Sequence, residues 1–317
     1  MNYVNEEIPS LPDVNNMIET PFSFYDSSLE EDSKLKEPII IIPANILPIQ
    51  ECDPNTWVVS QHQQRAHEDR YQAKQIGPLQ YYAIFDGHGG PNRMGPNHVA
   101  DYLVTHLHER IAFKLKQIDL DSQDDVTETL RKTFVDFDNE LYNNDLHYGS
   151  TCTVILIHKE RNRIYQVNLG DSRSIIFTED RIVSVTKDHS PDMPSERERI
   201  VWANGTVVDG RLEGVIAVSR AFGDFEFKTG KDGYYHGTEA PMSSEPVITV
   251  IPILTKMYVL LTSDAPFENN YFTNDTLVSF VQQRLSLGEN LHIIAGVLAN
   301  AIKIRSSDDT TIILTRI

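Results

Sequence analysis

The pattern of apolar and polar positions predicts groups of short strands interrupted by pairs of helices. Runs rich in β-branched and aromatic residues between polar turns predict strands, and apolar residues at every third or fourth position predict helices. The predicted strands are Trp57–Ser60, Gln80–Phe85, Thr151–His158, Arg163–Leu169, Ser174–Phe177, Arg181–Val185, Val247–Pro252, Met257–Leu261 and Thr310–Arg316. The predicted helices are Val99–Leu115, Val126–Leu141, Asn274–Leu285 and Leu291–Ile304.

The order of these elements predicts an α+β fold. Strands linked by short turns favour antiparallel sheets, and helices that come in separated pairs favour packing on the outside of those sheets. Strand and helix do not alternate regularly, so a parallel sheet fits less well. Residues 1–38 are polar and acidic without a sustained period, which predicts an arm with little fixed structure. Residues 39–317 are expected to form one domain.

Composition narrows the range of functions. The chain has 317 residues and a formal net charge of −18, which argues against nucleic acid or an acidic membrane as a partner. Its two cysteines, Cys52 and Cys152, show neither zinc-site spacing nor a disulfide framework. We find no features of a signal peptide and no apolar run of about 20 residues. A reducing setting, cytoplasmic or nuclear, and a monomeric state are the expectations.

Acidic residues recur beside the ends of apolar strands. These are Glu68, Asp69, Asp86, Asp171, Asp264 and Asp308. Strand ends can meet at one rim of a sheet, and carboxylates gathered there cannot all remain charged without a cation. Oxygen ligands of this kind select Mg²⁺ or Mn²⁺ over zinc. The spacing therefore favours a divalent metal site.

The stretch FDGHGG, residues 85–90, has two interpretations. By itself it is a turn after a strand, since Asp and Gly are ordinary turn residues. Beside a rim of carboxylates, Gly87 would let its carbonyl approach an ion, and His88 would be a general-acid candidate because it titrates near neutrality. The distant acids favour the second interpretation.

Ten motifs occur together in one order, and in that order the chain resembles the metal-dependent Ser/Thr protein phosphatases of type 2C. The motifs are RAHED (65–69), FDGHGG (85–90), GSTCTV (149–154), NLGDSRS (168–174), KDHSP (187–191), ERERI (196–200), GVIAVSRAFGDFEFK (214–228), SSEPVI (243–248), LLTSDAPFE (260–268) and SDDTT (307–311).

The resemblance implies two central antiparallel sheets flanked by helices, a four-layer sandwich, with a two-metal centre at one end. It implies Mg²⁺ or Mn²⁺ as cofactor, phosphorylated protein substrates, and attack on phosphoserine or phosphothreonine by a water that bridges the two metals. Asp86 would bridge both ions, and His88 would protonate the leaving group. The other implied ligands are Glu68 and the Gly87 carbonyl for one ion, Asp264 and Asp308 for the other, Asp69 through water, and Asp171 and Glu268 for a third, weaker ion.

The sequence departs from the family pattern near the phosphate. Gln64 stands where an Arg is usual, and Arg65, one residue later, is the candidate phosphate contact. Ala265 replaces a usual Gly, which would cost on the order of 1 kcal/mol if the backbone there has a positive φ. Glu268 replaces a usual Asp, and Asp309 a usual Asn.

Three functions remain open on the sequence alone. The first is an active phosphoprotein phosphatase, the second a catalytically inactive binding module with the same fold, and the third a phosphatase of a small phosphorylated metabolite. Residues Phe225–Ser244 are polar and glycine-containing and are expected to form a surface flap near the site.

Overall fold

We analysed a computed structural model, which describes residues 46–48, 55–61, 68–89, 98–144, 146, 148–229 and 237–317. Within these residues the strands are β1 (Ile46–Pro48), β2 (Thr56–Gln61), β3 (Asp69–Ile76), β4 (Leu79–His88), β5 (Gly149–Ser150), β6 (Cys152–His158), β7 (Arg163–Leu169), β8 (Arg173–Thr178), β9 (Ile182–Val185), β10 (Val207–Val208), β11 (Arg211–Leu212), β12 (Phe222–Gly223), β13 (Val247–Pro252), β14 (Met257–Thr262) and β15 (Thr310–Arg316). The α-helices are α1 (His98–Leu115), α2 (Gln123–Asn143), α3 (Pro194–Trp202), α4 (Asn274–Ser286) and α5 (Leu291–Lys303).

Two antiparallel sheets form the centre of the fold. The first has the strand order β1-β2-β15-β14-β8-β9. The second has the order β12-β5-β4-β6-β7-β13, and β3 also pairs with β4. A separate two-stranded hairpin is formed by β10 and β11.

The core is divided into layers by these sheets. Along β4, Tyr81 and Phe85 belong to a cluster with α1 and α2, whereas Tyr82 and Ile84 belong to a cluster between the two sheets. This alternation is the two-residue period of a strand with both faces buried. A further cluster packs α4 and α5 against the first sheet. The order helices, sheet, sheet, helices confirms the predicted α+β four-layer sandwich.

The structure differs from the sequence prediction at one strand end that matters for the site. The prediction ended a strand at Phe85, but β4 continues through Asp86 and Gly87 to His88. The extension exists because Gly87 and His88 pair with Ser150 and Gly149 of β5. The acid and the histidine are therefore held by a sheet ladder and do not lie in an open turn.

Among the longer elements β3 and α3 were not predicted, and neither were the short strands β1, β5, β10, β11 and β12. The proposed N-terminal arm, residues 1–38, lies outside the described residues. No helix in the described part of the chain is both long enough and apolar enough to cross a membrane.

Candidate metal centre

A pocket of about 800 Å³ lies where strand ends of both sheets meet. Five of its lining residues are predicted acids, namely Glu68, Asp86, Asp171, Asp264 and Asp308. Gly87 and His88 line it too. The structure thus brings together residues up to 240 positions apart in the chain, as the metal-site hypothesis requires.

The strand pairings explain how the acids converge. Asp86 lies near the end of β4, and Asp69 is its partner in the β3 ladder. Asp264 follows β14 and Asp308 precedes β15, two strands that pair with each other in the other sheet. Asp171 follows β7. Each acid therefore sits just beyond, or at the end of, a rigid buried strand.

Backbone hydrogen bonds fix the acids of the second sheet. The Asp86 amide donates to Thr151 Oγ1 at 3.2 Å, and the Thr151 amide donates to the Asp86 carbonyl at 2.9 Å. The Gly87 amide donates to the Glu68 carbonyl at 3.2 Å. These bonds hold the backbone of β4 firmly at the pocket, where the Gly87 carbonyl was predicted to act as a ligand.

The two neighbouring acids of the SDDTT motif have different roles. Asp308 lines the pocket, whereas Asp309 is buried and accepts the Glu68 amide at 3.0 Å through Oδ2. The Asp309 amide in turn donates to Asp308 Oδ1 at 2.8 Å. Asp309, noted in the sequence only as an extra negative charge, therefore joins the segments that carry Glu68 and Asp308.

Two predicted ligands do not line the pocket. Asp69 is buried, and Glu268 accepts a hydrogen bond of 2.6 Å from Ser306 Oγ, which also accepts the Asp308 amide at 3.0 Å. Glu268 is thus coupled to Asp308 through one serine. Neither position contradicts a role for these acids as metal ligands, but neither side chain lines the pocket.

Burial and mutual repulsion shift the titration of the acids. Burial, and then the charges of neighbouring acids, raise the pKa of Asp86 and that of Asp264 well above the usual range. Burial raises the pKa of Asp69 to about 7, although a hydrogen bond from Thr311 acts in the opposite direction. Burial and the nearby Asp188 raise the pKa of Asp171 to about 6. Ionised carboxylates in this cluster therefore repel one another.

This donor set fits hard divalent cations. Carboxylate oxygens are the ligands that Mg²⁺ and Mn²⁺ prefer, and a bound cation would relieve the repulsion that raises these pKa values. Among the described residues, the buried Oδ2 of Asp69 has no hydrogen-bond partner. As placed, no three of the described His, Cys, Asp or Glu side chains converge on one point. The pocket therefore supplies suitable donors without defining a coordination shell.

His88 is paired with an acid that the sequence analysis did not assign. Its Nε2 lies 2.6 Å from Oδ2 of Asp224. Burial alone would lower the pKa of His88, but the charge and hydrogen bond of Asp224, together with the charges of Asp171 and Glu68, raise it. Asp224 follows Gly223 within the GVIAVSRAFGDFEFK motif, and that motif was the feature of the sequence that could have pointed to it.

Part of the pocket lining comes from a segment to which the sequence analysis assigned no role in the site. Arg211 and residues 215–218 (Val-Ile-Ala-Val) line the pocket. The predicted flap, Phe225–Ser244, contributes only Phe225, Glu226 and Phe227 among its described residues. Residues 230–236 of that flap lie outside the described residues.

The departures from the family pattern have different outcomes. Ala265 begins a 3-10 turn, Ala265–Asn270, and is not among the residues with a positive φ, so it carries no left-handed strain. Gln64 and Arg65 lie outside the described residues, and a phosphate contact by Arg65 stays a prediction.

Comparisons with known proteins agree with the fold. Residues 54–311 match the family model described as protein phosphatase 2C. Bovine protein phosphatase 1B is 31% identical over 250 residues, which are 74% of this chain and 49% of that protein. A probable protein phosphatase 2C 5 of Paramecium tetraurelia is 30% identical over 224 residues, which are 66% of this chain and 71% of that protein.

A solved structure shows the same fold. The crystal structure of a phosphatase from Toxoplasma gondii superposes with a TM-score of 0.69 at 20% identity and covers 82% of this chain and 91% of that one. Fold and pocket define the class as an α+β sandwich of two antiparallel sheets with an acid-lined pocket at their strand ends. Within that class, the chain belongs to the protein phosphatase 2C family. It spans about half the length of several curated relatives that it matches.

Proposed function

We propose that this chain is a Mg²⁺- or Mn²⁺-dependent phosphatase that hydrolyses phosphoserine and phosphothreonine in proteins. The observation that carries the proposal is the single pocket in which Glu68, Asp86, Asp264 and Asp308 meet His88. Family membership supports the same reaction, because relatives at 30–31% identity carry phosphatase names.

The acids would hold two cations. Glu68 and the Gly87 carbonyl would serve one ion, Asp264 and Asp308 the other, and Asp86 both. Asp69 would act through water, and Asp171 and Glu268 would serve a third, weaker ion. Cations held by these residues would lower the pKa of the attacking water and neutralise charge on the phosphoryl oxygens.

The protein's own groups complete the reaction. His88 lines the pocket and would give a proton to the serine or threonine oxygen as the P–O bond breaks. A general acid of this kind contributes on the order of 10²–10⁴ in rate. No protein nucleophile is needed, because water attacks the phosphorus directly.

The shape of the pocket supports a protein substrate. At about 800 Å³ it has room for more than a phosphate group, and its lining includes the apolar residues 215–218 as well as the acids. A peptide that carries the phosphate could place neighbouring side chains against those apolar residues. A small polar metabolite would leave them uncovered.

Hydrolysis of a phosphothreonine peptide during a Mn²⁺ titration tests the proposal. We expect no turnover in EDTA, turnover that saturates with Mn²⁺, and loss of turnover in Asp86→Asn. The exposed Asp136, which pairs with Lys114 on the surface, provides a matched control, Asp136→Asn, that should keep full activity. Metal-independent turnover, or full activity of Asp86→Asn, would contradict the proposal.

The same assay separates the alternatives. A binding module without activity would retain the phosphopeptide without hydrolysing it at any Mn²⁺ concentration. A metabolite phosphatase would prefer small phosphate esters when peptide and ester compete. Ala265, one of the two departures that suggested an inactive module, gives no structural support to that alternative.

A further inference from the structure

We propose that Asp224 is the positioning residue for His88, holding the ring through Nε2 so that Nδ1 delivers the proton to the leaving oxygen. The inference rests on the proposed phosphatase function and adds a residue to it. Asp224 is 7% exposed, lines the same pocket, and contacts His88 at 2.6 Å. Two groups 136 residues apart in sequence are thus brought together beside the acids.

The backbone around Asp224 is shaped for this contact. Asp224 has a φ of 51° and a ψ of 44°, a left-handed conformation that few residues other than glycine adopt. Its amide donates to the Tyr148 carbonyl at 3.0 Å. Gly223, with a φ of 76°, packs so closely on that carbonyl that a Cβ would collide with it. The strained turn is held in place by this close approach.

The other side of the contact is also closed to larger residues. A Cβ on Gly149 would fall against both the Asp224 carboxylate and His88 Nε2. Gly149 is the β-ladder partner of His88. Glycine at this position leaves the space in which histidine and carboxylate meet.

A buried ion pair fastens the turn to α2. Asp138 on α2 accepts the Gly223 amide through Oδ1 and the Lys228 ammonium through Oδ2, each at 2.8 Å. Lys228 is fully buried, and its Nζ also donates to the Ala221 carbonyl at 2.8 Å. Because burying two charges is costly, such a pair is weak evidence for stability and better explained by a need to fix the turn.

The chemistry follows from the two ring nitrogens. With the Nε2–H donated as a hydrogen bond to Asp224, the proton on Nδ1 is the one that His88 transfers. Water adds to phosphorus and its protons stay on the phosphate that forms, the bond from phosphorus to the serine or threonine oxygen breaks, and that oxygen takes the Nδ1 proton. The products are dihydrogen phosphate, the alcohol and neutral His88, which keeps its hydrogen bond to Asp224. Asp224 fixes the ring and stabilises its positive charge but is not itself protonated.

The test compares a phosphothreonine peptide with p-nitrophenyl phosphate, both at saturating Mn²⁺. The alkoxide of threonine needs a proton to leave, whereas p-nitrophenolate leaves without one. We expect Asp224→Asn to lower kcat on the peptide about 10- to 100-fold and to change kcat on p-nitrophenyl phosphate less than about 3-fold. Asp209, an exposed aspartate that is also left-handed with a φ of 50°, supplies the control Asp209→Asn, which should change neither value.

Three further variants distinguish a loss of the His88–Asp224 contact from a folding defect. His88→Gln should show the same selective loss, and His88→Gln combined with Asp224→Asn should lose little more, because residues that act as a unit are not additive. Gly149→Ala keeps both side chains and separates them, so it should give a selective loss as well.

The outcomes are distinguishable. Equal losses on both substrates, or a double variant whose loss is the product of the single losses, would overturn the role of Asp224 and leave the phosphatase function standing. Wild-type protein that hydrolyses neither substrate with Mn²⁺ would overturn the proposed function and this inference with it.

Discussion

The acids of the candidate metal centre are expected to oppose folding when no cation is present. Each of them is held in the pocket by strand geometry, and burial and like charges raise the pKa of Asp86 and Asp264 well above the usual range. A carboxylate in that environment costs free energy of folding at neutral pH. Acids required for such a site are therefore expected to lower the free energy of unfolding of the metal-free protein.

Asp264→Asn should make the metal-free protein more stable and less active. Removing one charge from the cluster is expected to raise the Tm of the metal-free protein by a few degrees, since about 1 kcal/mol shifts the Tm of a domain this size by about 2–4 °C. The same variant should lose most of its Mn²⁺-dependent phosphatase activity. Differential scanning fluorimetry in EDTA, with the peptide assay alongside, measures both effects.

The surface variant Asp136→Asn is the control for this prediction. Its carboxylate is 61% exposed and pairs with Lys114, so its loss should change Tm little. A metal-free Tm that falls in Asp264→Asn would show that the acid cluster does not oppose folding.

Sequence reasoning reached the acids but not the partner of the histidine. Asp86, Asp264 and Asp308 were identifiable because each adjoins an apolar run, a local signal. The pairing of Asp224 with His88 depends on a left-handed turn and on two glycines that allow close approach. The turn and the close approach result from tertiary packing, and no periodic pattern in the sequence predicts them.

At the scale of elements, the sequence predicted the strands and helices whose buried residues recur with a regular period. The strands Arg163–Leu169, Val247–Pro252 and Thr310–Arg316 were predicted at their observed ends. β3 was missed because it is a polar strand paired only with β4 among the described strands. α3 was missed because only Glu196 and Ile200 are buried along it, too few to show a helical period.

The turn between β12 and Lys228 should depend on its buried ion pair. Lys228→Met leaves Asp138 buried without its counter-charge, and we expect a loss of about 3–5 kcal/mol in the free energy of unfolding. Restoring neutrality with Asp138→Asn in the same chain should recover part of that loss. Urea unfolding of the two single variants and the double variant measures the coupling.

Additive losses in that cycle would contradict direct coupling of the two side chains. The exposed pair Lys256–Glu179, at 3.0 Å, offers a comparison, because removing either partner there should cost less than about 1 kcal/mol.

The apolar part of the pocket lining, residues 215–218, should influence which peptides are hydrolysed. Val215 lines the pocket and is 62% exposed, so it is available to a substrate side chain. Val215→Ser should raise KM for phosphopeptides with an apolar residue beside the phosphothreonine about 3- to 10-fold, the amount expected for losing part of one apolar contact. The Mn²⁺ concentration for half-maximal activity should not change.

Val208, 50% exposed and outside the pocket lining, gives the matched control Val208→Ser. Equal KM changes in both variants, or a shifted Mn²⁺ requirement in Val215→Ser, would contradict contact between Val215 and the substrate.

At the scale of the whole molecule, the site exists because two sheets pack face to face. Strand β15 pairs with β2, its partner from the other end of the chain, and so places Asp308 near the segment that carries Glu68. The sequence could show that acids adjoin strands, and the family resemblance implied which of them converge. The registers that bring them to one pocket depend on contacts across about 250 residues, which local patterns do not encode.

The net charge of −18 gives the pocket its electrostatic setting. A rim of like charges focuses the field of an acidic protein and raises the local concentration of divalent cations. Stability should consequently depend on metal and on pH together, which leads to the last prediction.

We expect the Tm of the metal-free protein to rise as the pH is lowered from 8 to 6.5, and that of the Mn²⁺-loaded protein to change less. The pKa of Asp69 is raised to about 7 and that of Asp171 to about 6, both above the unfolded value. Such acids add stability when protonated, and that stability is lost as the pH rises through the folded pKa. Bound Mn²⁺ would keep the acids ionised, and the Tm would then depend less on pH.

Below about pH 6.5 His189 offsets part of this gain. Burial lowers the pKa of His189 to about 4, so the unfolded chain takes up a proton there before the folded one does, which cancels the stability that one of the acids adds on further acidification. Scanning fluorimetry from pH 8 to 5, in EDTA and in Mn²⁺, should show a metal-free Tm that rises towards low pH and rises less steeply in Asp69→Asn. A metal-free Tm that rises steadily from pH 6.5 to 8 would mean that the buried acids do not control stability, because protonation would then have the opposite sign.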